Sequence, residues 1–197
     1  QFILEENRLV LRLPIEHATI QYSAADERFS PVDDREALAR FREQYKLPEK
    51  FILVVSRAVH PGTGKSFAGK SPEVAYRAFR RIRDQIPQEL VLVGNGIRKY
   101  LERTESPRAD FDKVRFLEFV PYEQLHLMYN LADVVVNPCV YEGCPNTVLQ
   151  AMACGRPTIV AASGGSADVA EGAALMAAPM DDADLAQKLL AAASDET

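Results

Sequence analysis

"DVVVNPCVYEGCPNTVLQAMACGRPTIVAASGG", residues 133–165, contains a strand, a helix and a second strand in close succession. The apolar run ending at Asn137 predicts a buried strand, because continuous apolar runs are typical of strands covered on both faces. Pro145 is a favoured first-turn residue and Gly155 a typical stop, so the segment between them predicts a helix. A second apolar run follows, and the glycine pair 164–165 after it predicts a turn that exposes the backbone.

The same alternation covers the chain from residue 51 onward. Strands are predicted at 51–55, 90–94, 114–120, 133–137, 157–161 and 174–177, with helices at 72–84, 96–104, 122–131, 145–154 and 182–193. Strand–helix alternation of this kind predicts an α/β fold with a Rossmann-like, doubly wound parallel sheet. Before it, residues 18–23 predict a strand and residues 33–46 a helix. We expect one domain over 18–197, preceded by a remnant of an interdomain or N-terminal segment at 1–17.

Composition excludes several classes of function. The 197 residues are 47% hydrophobic and 26% charged, which is typical of a globular domain, and the net charge of −5 argues against a nucleic-acid partner. The cysteines Cys139, Cys144 and Cys154 have neither zinc-site nor disulfide spacing, which favours a reducing, cytoplasmic setting. No apolar run is long enough to span a bilayer, and the N-terminus has no signal-peptide pattern.

A possible phosphate-binding loop is the segment "VHPGTGKSFAGK", residues 59–70, which contains the end of the pattern G-x-x-x-x-G-K-[ST]. Three features oppose a P-loop. Val59 stands where the first glycine belongs, Gly69 and Pro72 oppose a helix starting at Lys65, and no predicted strand ends in a metal-holding aspartate. The motif "DFD" at 110–112 precedes a strand in a polar stretch and predicts a solvated loop rather than a metal site. We therefore expect no metal.

Phosphate binding is nevertheless indicated by other residues. Arg57 directly follows the strand 51–56, where open α/β sheets bind ligands. Lys70 precedes a helix with Pro72 near its start, and a helix N-terminus attracts anions. Arg57 with Lys70, or with Lys65, would neutralise a diphosphate.

The residues of the segment 137–165 would be useful for binding a sugar nucleotide. The segment places Glu142 in the loop at a strand end, beside a helix N-terminus whose amides would take phosphate. Gln150 lies in the second turn of that helix. A carboxylate beside anion-binding amides suits sugar hydroxyls next to a diphosphate.

The chain resembles the C-terminal nucleotide-binding domain of family-4 retaining glycosyltransferases, which have the two-domain GT-B architecture. The family pattern E-G-x-P-N-x-x-x-E-A-M-A-x-G-x-P-V-[IV] is similar to "EGCPNTVLQAMACGRPTIV", residues 142–160. Further similar pieces occur in the family's order: "FILVVSR", "KSPEVAYRAF", "LVLVGNG", "FLEFVPYEQLHLMYNLADVVVNP" and "DDADLAQKL".

The resemblance implies the donor-binding half of a metal-independent hexosyltransferase that needs no cofactor and acts in polysaccharide, glycolipid or glycoconjugate synthesis. Glu142 would be catalytic and face the transferred sugar. The substrate-binding residues would be Arg57, Lys70 or Lys65, Gly143, Cys144, Asn146, Thr147 and Gln150. Arg57 and the lysine would hold the diphosphate, and Gln150 the ribose.

The sequence departs from the family pattern at several positions, among them three single residues. Gln150 replaces a glutamate, Ser56 a glycine, and Glu118 the glycine of F-x-G-x-V, near the expected position of the base. We expect that the N-terminal acceptor-binding domain is missing from this chain and is its partner. In the full-length protein the acceptor could lie at a membrane surface. The alternative to an enzyme is therefore a nucleotide-sugar-binding module without turnover, and we expect the chain alone to be inactive.

Overall fold

The computed structural model describes residues 24–56 and 70–194 and contains a six-stranded parallel sheet with helices on both faces. The strands are β1 (Phe51–Val55), β2 (Glu89–Val93), β3 (Val114–Leu117), β4 (Val134–Asn137), β5 (Thr158–Ala161) and β6 (Leu175–Ala177). The helices are α1 (Arg35–Tyr45), α2 (Pro72–Ile82), α3 (Ile97–Thr104), α4 (Leu125–Leu131), α5 (Asn146–Ala153), α6 (Gly164–Ala170) and α7 (Asp182–Ser194). The predicted fold class is confirmed.

The strand order is β3-β2-β1-β4-β5-β6, with every neighbouring pair parallel. The chain builds the sheet outward from β1 in one direction, then returns to the centre and builds outward from β4 in the other. The reversal leaves a crevice beyond the carboxyl ends of β1 and β4. In open α/β sheets this crevice is where ligands bind.

Two apolar cores lie on opposite faces of the sheet, and β1 contributes to both. Ile52 and Val54 pack in a cluster with residues of α2, α3 and α7, whereas Phe51 and Leu53 pack with residues of α1, α4 and α5. Successive side chains of a strand point to opposite faces, so a strand covered on both sides has to be apolar at every position. This explains the continuous apolar runs in the sequence.

The region after β4 and β5 differs from the prediction in one element. The glycine pair 164–165 does not form a turn but begins α6. Gly164 has a φ of 57°, and a Cβ atom built on Gly165 would lie 1.7 Å from the carbonyl oxygen of Gly143. The glycines are therefore present because this helix starts against the loop that follows β4.

Two predicted elements are shorter or divided. β3 ends at Leu117 rather than at 120, because the chain leaves the sheet where Glu118 turns to the start of α3. The predicted helix 122–131 consists of a 3₁₀ turn, Tyr122–Gln124, followed by α4. The strand predicted at 18–23 lies outside the described residues, as do the segment 1–17 and the glycine-rich part of 59–70.

Two arginines of α2 and its end illustrate how this helix faces carboxylates. Arg77 pairs with Glu105, and Arg83 pairs with Asp110 of the "DFD" motif, each at 2.7 Å. Asp110 is thus part of an ion pair. Of the helices described, none is long and apolar enough to cross a membrane.

Candidate functional site

Asn137, the last residue of β4, organises the carboxyl edge of the sheet. Its side chain is only 7% exposed. Its Nδ2 donates to Glu142 Oε2 at 3.3 Å and to Thr147 Oγ1 at 3.2 Å, while its Oδ1 accepts the N–H of Cys139 at 3.0 Å. One buried amide therefore ties the loop after β4 to the first turn of α5. Sequence analysis did not select Asn137, although a polar residue at the end of an apolar strand was a usable signal.

Lys70 and Glu142 meet at this edge although 72 positions separate them in sequence. The Nζ of Lys70 lies 2.5 Å from Oε1 of Glu142, and the two side chains are 23% and 19% exposed. A partly buried pair interacts strongly only if its geometry is good and further hydrogen bonds support it, which here come from Asn137. The structure thus brings two of the predicted site residues together. Arg57 and Lys65 lie outside the described residues.

The backbone next to Lys70 is strained. Ser71 has a φ of 48° and a ψ of 43°, in the left-handed region, where a residue with a side chain pays roughly 1–2 kcal/mol. Ser71 is 5% exposed and its hydroxyl contacts Met180 Sδ at 3.4 Å. This left-handed residue lies between Lys70, which meets Glu142, and the start of α2.

The N-terminus of α5 lies beside Glu142. The carbonyl of Pro145 accepts the N–H groups of Val148 and Leu149, at 3.0 and 3.2 Å. The N–H groups of Asn146 and Thr147 precede these bonds, and N–H groups in a helix's first turn have no partner within the helix. They create a partial positive charge that suits an anion.

The side chain of Gln150 is held in place by a hydrogen bond from the neighbouring helix α4. It is 6% exposed, and its Oε1 accepts the hydroxyl of Tyr129 on α4 at 3.1 Å. Burial raises the pKa of Tyr129, so the hydroxyl remains a donor at neutral pH. Sequence analysis selected Gln150 but missed Tyr129, whose helical position gave no sign of this contact.

The loop after β4 is braced by the start of α6. The N–H of Gly165 donates to the carbonyl of Glu142 at 2.7 Å, and the hydroxyl of Ser163 donates to the carbonyl of Val140 at 2.8 Å. Cys139 is buried in this loop, and its burial, with the charge of Glu142, raises the pKa of its thiol to about 11. Cys144 is partly buried. Gly143 and Cys144, both predicted site residues, lie in the loop that the start of α6 contacts.

Two clefts lie along the same edge. The larger, about 440 Å³, is formed at the carboxyl ends of β1, β2 and β3 by residues including Val55, Ser56, Gly94, Glu118, Phe119 and Tyr122. The second, about 330 Å³, is lined by Ala24, Ala25, Asp26, Tyr122, Asn146 and Gln150. Because both contain Tyr122, they are neighbours, and the second reaches the start of α5.

The arrangement suits an anionic ligand. Across the described residues, no group of three His, Cys, Asp or Glu side chains is placed to hold a metal ion. A lysine, a carboxylate and a helix N-terminus instead meet at the end of β4, next to a cleft with apolar and aromatic walls.

Comparison with known proteins gives the family. Residues 52–195 match the family model of the group 1 glycosyl transferases. A GDP-mannose-dependent α-(1-6)-phosphatidylinositol monomannoside mannosyltransferase of Mycolicibacterium smegmatis is 31% identical over 151 residues, which cover 71% of this chain and 37% of that protein. The chain spans less than half the length of the curated relatives it matches.

Solved structures share the fold. HepE of Anabaena in complex with UDP-glucose superposes with a TM-score of 0.70 at 20% identity, covering 90% of this chain and 48% of that one. The C-terminal domain of the group 1 glycosyl transferase LpcC from Francisella tularensis gives 0.69 at 18% identity, covering 88% and 89%. The chain therefore belongs to the group 1 glycosyl transferases and has the fold of their C-terminal GT-B domain.

Proposed function

We propose that this domain binds a nucleotide-diphospho-sugar and forms the donor half of a retaining hexosyltransferase. The observation that carries the proposal is the meeting of Lys70, Glu142 and the N-terminus of α5 at the end of β4. A diphosphate needs cationic and N–H donors, and a sugar needs acceptors for its hydroxyl groups. Both sets lie within one short edge of the sheet.

The donor would lie along the two clefts. Its base would occupy the larger cleft, its ribose would pass Tyr122 toward Gln150, and its diphosphate would reach Lys70 and the first N–H groups of α5. Arg57 and Lys65 are further candidates for the diphosphate. When the diphosphate takes Lys70, Glu142 loses its cation and becomes free to accept hydrogen bonds from the sugar.

The proposed reaction breaks the bond between the anomeric carbon of the sugar and the diphosphate oxygen, and forms a bond to an acceptor oxygen on the same face. The negative charge that develops on the departing diphosphate would be stabilised by Lys70 and α5, which take the place of a metal ion. Donors aimed at developing charge are typically the largest single contribution to such catalysis.

The relatives support a nucleotide-sugar donor and a glycan product. The mycobacterial relative is named for GDP-mannose and a phosphatidylinositol mannoside, and HepE is crystallised with UDP-glucose. We propose that residues 18–197 form the donor domain of a cytoplasmic enzyme. A second domain would bind the acceptor, at a membrane surface if that acceptor is a lipid.

The first prediction tests the diphosphate site. Calorimetry should show that nucleoside diphosphates bind the chain more tightly than the matching monophosphates. In Lys70→Ala the affinity for the diphosphate should fall about tenfold, since a charge-assisted hydrogen bond contributes roughly 1.5–3 kcal/mol, whereas that for the monophosphate should change little. Lys99→Ala, which removes an exposed lysine of α3, is the matched control. Equal affinities for the two classes of nucleotide, or an equal loss for both in Lys70→Ala, would contradict the site.

A further inference from the structure

Among the described residues, Glu118 is the charged side chain in the wall of the larger cleft, at the point where the chain leaves β3. We propose that Glu118 selects the base of the donor nucleotide, and that this base is guanine. The inference rests on the proposed function, because it names the nucleotide that the same site takes.

The carboxylate of Glu118 is oriented by the start of α3. Its Oε2 accepts the N–H of Gly96, the residue that caps this helix, at 2.9 Å. Gly96 has a φ of 74°, a conformation that glycine adopts without steric cost. A carboxylate has about four acceptor positions on its two oxygens, so one bond to the backbone leaves capacity for two further N–H donors.

Two exposed aromatic rings accompany this carboxylate. Phe119 is 73% exposed and Tyr122 is 45% exposed, and both line the cleft. Large exposed rings beside an apolar hollow favour a flat ligand, because bases stack on aromatic faces for about 1–3 kcal/mol each. A flat ligand that also reaches Glu118 must present N–H groups at its edge.

The pattern of donors separates the bases. Guanine presents two adjacent donors, its ring N–H and its amino group, and a carboxylate accepts both in a bidentate arrangement. Uracil presents one N–H between two carbonyl oxygens, which a carboxylate repels. Adenine presents an amino group next to an unprotonated ring nitrogen, which is again an acceptor. Of these three bases, only guanine offers two donors to a carboxylate without placing an acceptor against one of its oxygens.

The test compares four diphosphates by calorimetry on the 197-residue chain: those of guanosine, inosine, uridine and adenosine. Guanosine diphosphate should bind most tightly, and inosine diphosphate, which lacks the amino group, about tenfold more weakly, equivalent to about 1.4 kcal/mol. In Glu118→Gln the affinity for guanosine diphosphate should fall about tenfold while that for uridine diphosphate is unchanged or rises. The amide oxygen can still accept the N–H of Gly96, so the variant should keep its melting temperature.

Glu123→Gln is the matched control, because it removes an exposed carboxylate from the adjoining 3₁₀ turn. It should leave the order of the four affinities unchanged. A preference for uridine or adenosine diphosphate, or an equal effect of Glu118→Gln on all four ligands, would overturn the role of Glu118 and leave the proposed function standing. Binding of none of the four would contradict both.

Discussion

Gln150 shows how a single residue of the site is constrained by a neighbour outside it. Its Oε1 already accepts the hydroxyl of Tyr129, and the side chain is almost fully buried beside the second cleft. A glutamate at this position would accept the same hydroxyl. The departure from the family pattern is thus compatible with the local packing, and its effect should appear in the ligand rather than in the fold.

Gln150→Glu should accordingly strengthen nucleotide binding. A carboxylate accepts ribose hydroxyls with charge assistance, and the gain should be about one kcal/mol, or about fivefold in affinity. The nearby N-terminus of α5 tolerates the added charge, and Lys70 offsets repulsion from the diphosphate. Titration with a nucleoside diphosphate and its 2′,3′-dideoxy analogue measures this, because the analogue should gain little. An equal gain in affinity for the diphosphate and its dideoxy analogue would show that residue 150 does not contact the ribose. A loss of affinity for both ligands would contradict the proposed donor site.

Between elements, the contact of α6 with the loop after β4 has the greatest effect on the site. Gly165 donates to the carbonyl of Glu142 and approaches Gly143 so closely that no Cβ fits. Because that loop contains both Glu142 and Cys144, the start of α6 fixes the backbone from which the carboxylate reaches Asn137 and Lys70. The backbone at the start of a helix therefore helps to position the site.

Gly165→Ala should displace this loop and lower the affinity for a nucleoside diphosphate about tenfold or more. The built Cβ would lie 1.7 Å from the carbonyl oxygen of Gly143, so the backbone has to move. Gly172→Ala is the matched control: Gly172 has a φ of 75°, but nothing lies within 4 Å of the added Cβ. That variant should lose about 1–2 kcal/mol of stability from backbone strain and keep its affinity. If both variants lost affinity in proportion to their loss of stability, the result would contradict the proposal that Gly165 positions the loop after β4.

For the whole molecule, the relevant fact is that this chain matches only part of longer relatives. The chain covers 37% of the mycobacterial relative and 48% of the Anabaena chain. In the proposed enzyme, the acceptor and the remaining polar groups come from another domain that closes over the donor. Nucleotide binding and sugar transfer should therefore be separable.

We expect the 197-residue chain to bind the nucleotide sugar without transferring the sugar. The measurement is release of nucleoside diphosphate from a radiolabelled donor, with and without simple glycoside and lipid acceptors, against a buffer blank. A rate above the blank that depends on an acceptor would show that one domain suffices. The same preparation must bind a nucleoside diphosphate by calorimetry, which makes an inactive but folded chain distinguishable from a misfolded one.

The sequence by itself determined the strand–helix alternation and the local part of the site. Five of the six strands begin and end within two residues of their predicted limits, because apolar runs and helix caps are local signals. Glu142 and the start of α5 belong to one short segment, so their proximity was also predictable.

Only the tertiary structure decided which distant residues share the edge. Lys70 meets Glu142 because β1 and β4 are neighbours in the sheet, and a strand order is not encoded in any local pattern. The contact between Gln150 and Tyr129 likewise depends on packing between elements, since it joins two different helices. The glycine pair 164–165 was read as a turn because its true cause, the close approach of Gly143, lies about twenty residues earlier in the chain. Such contacts form only when the sheet is assembled, since they join segments that have no interaction in the extended chain.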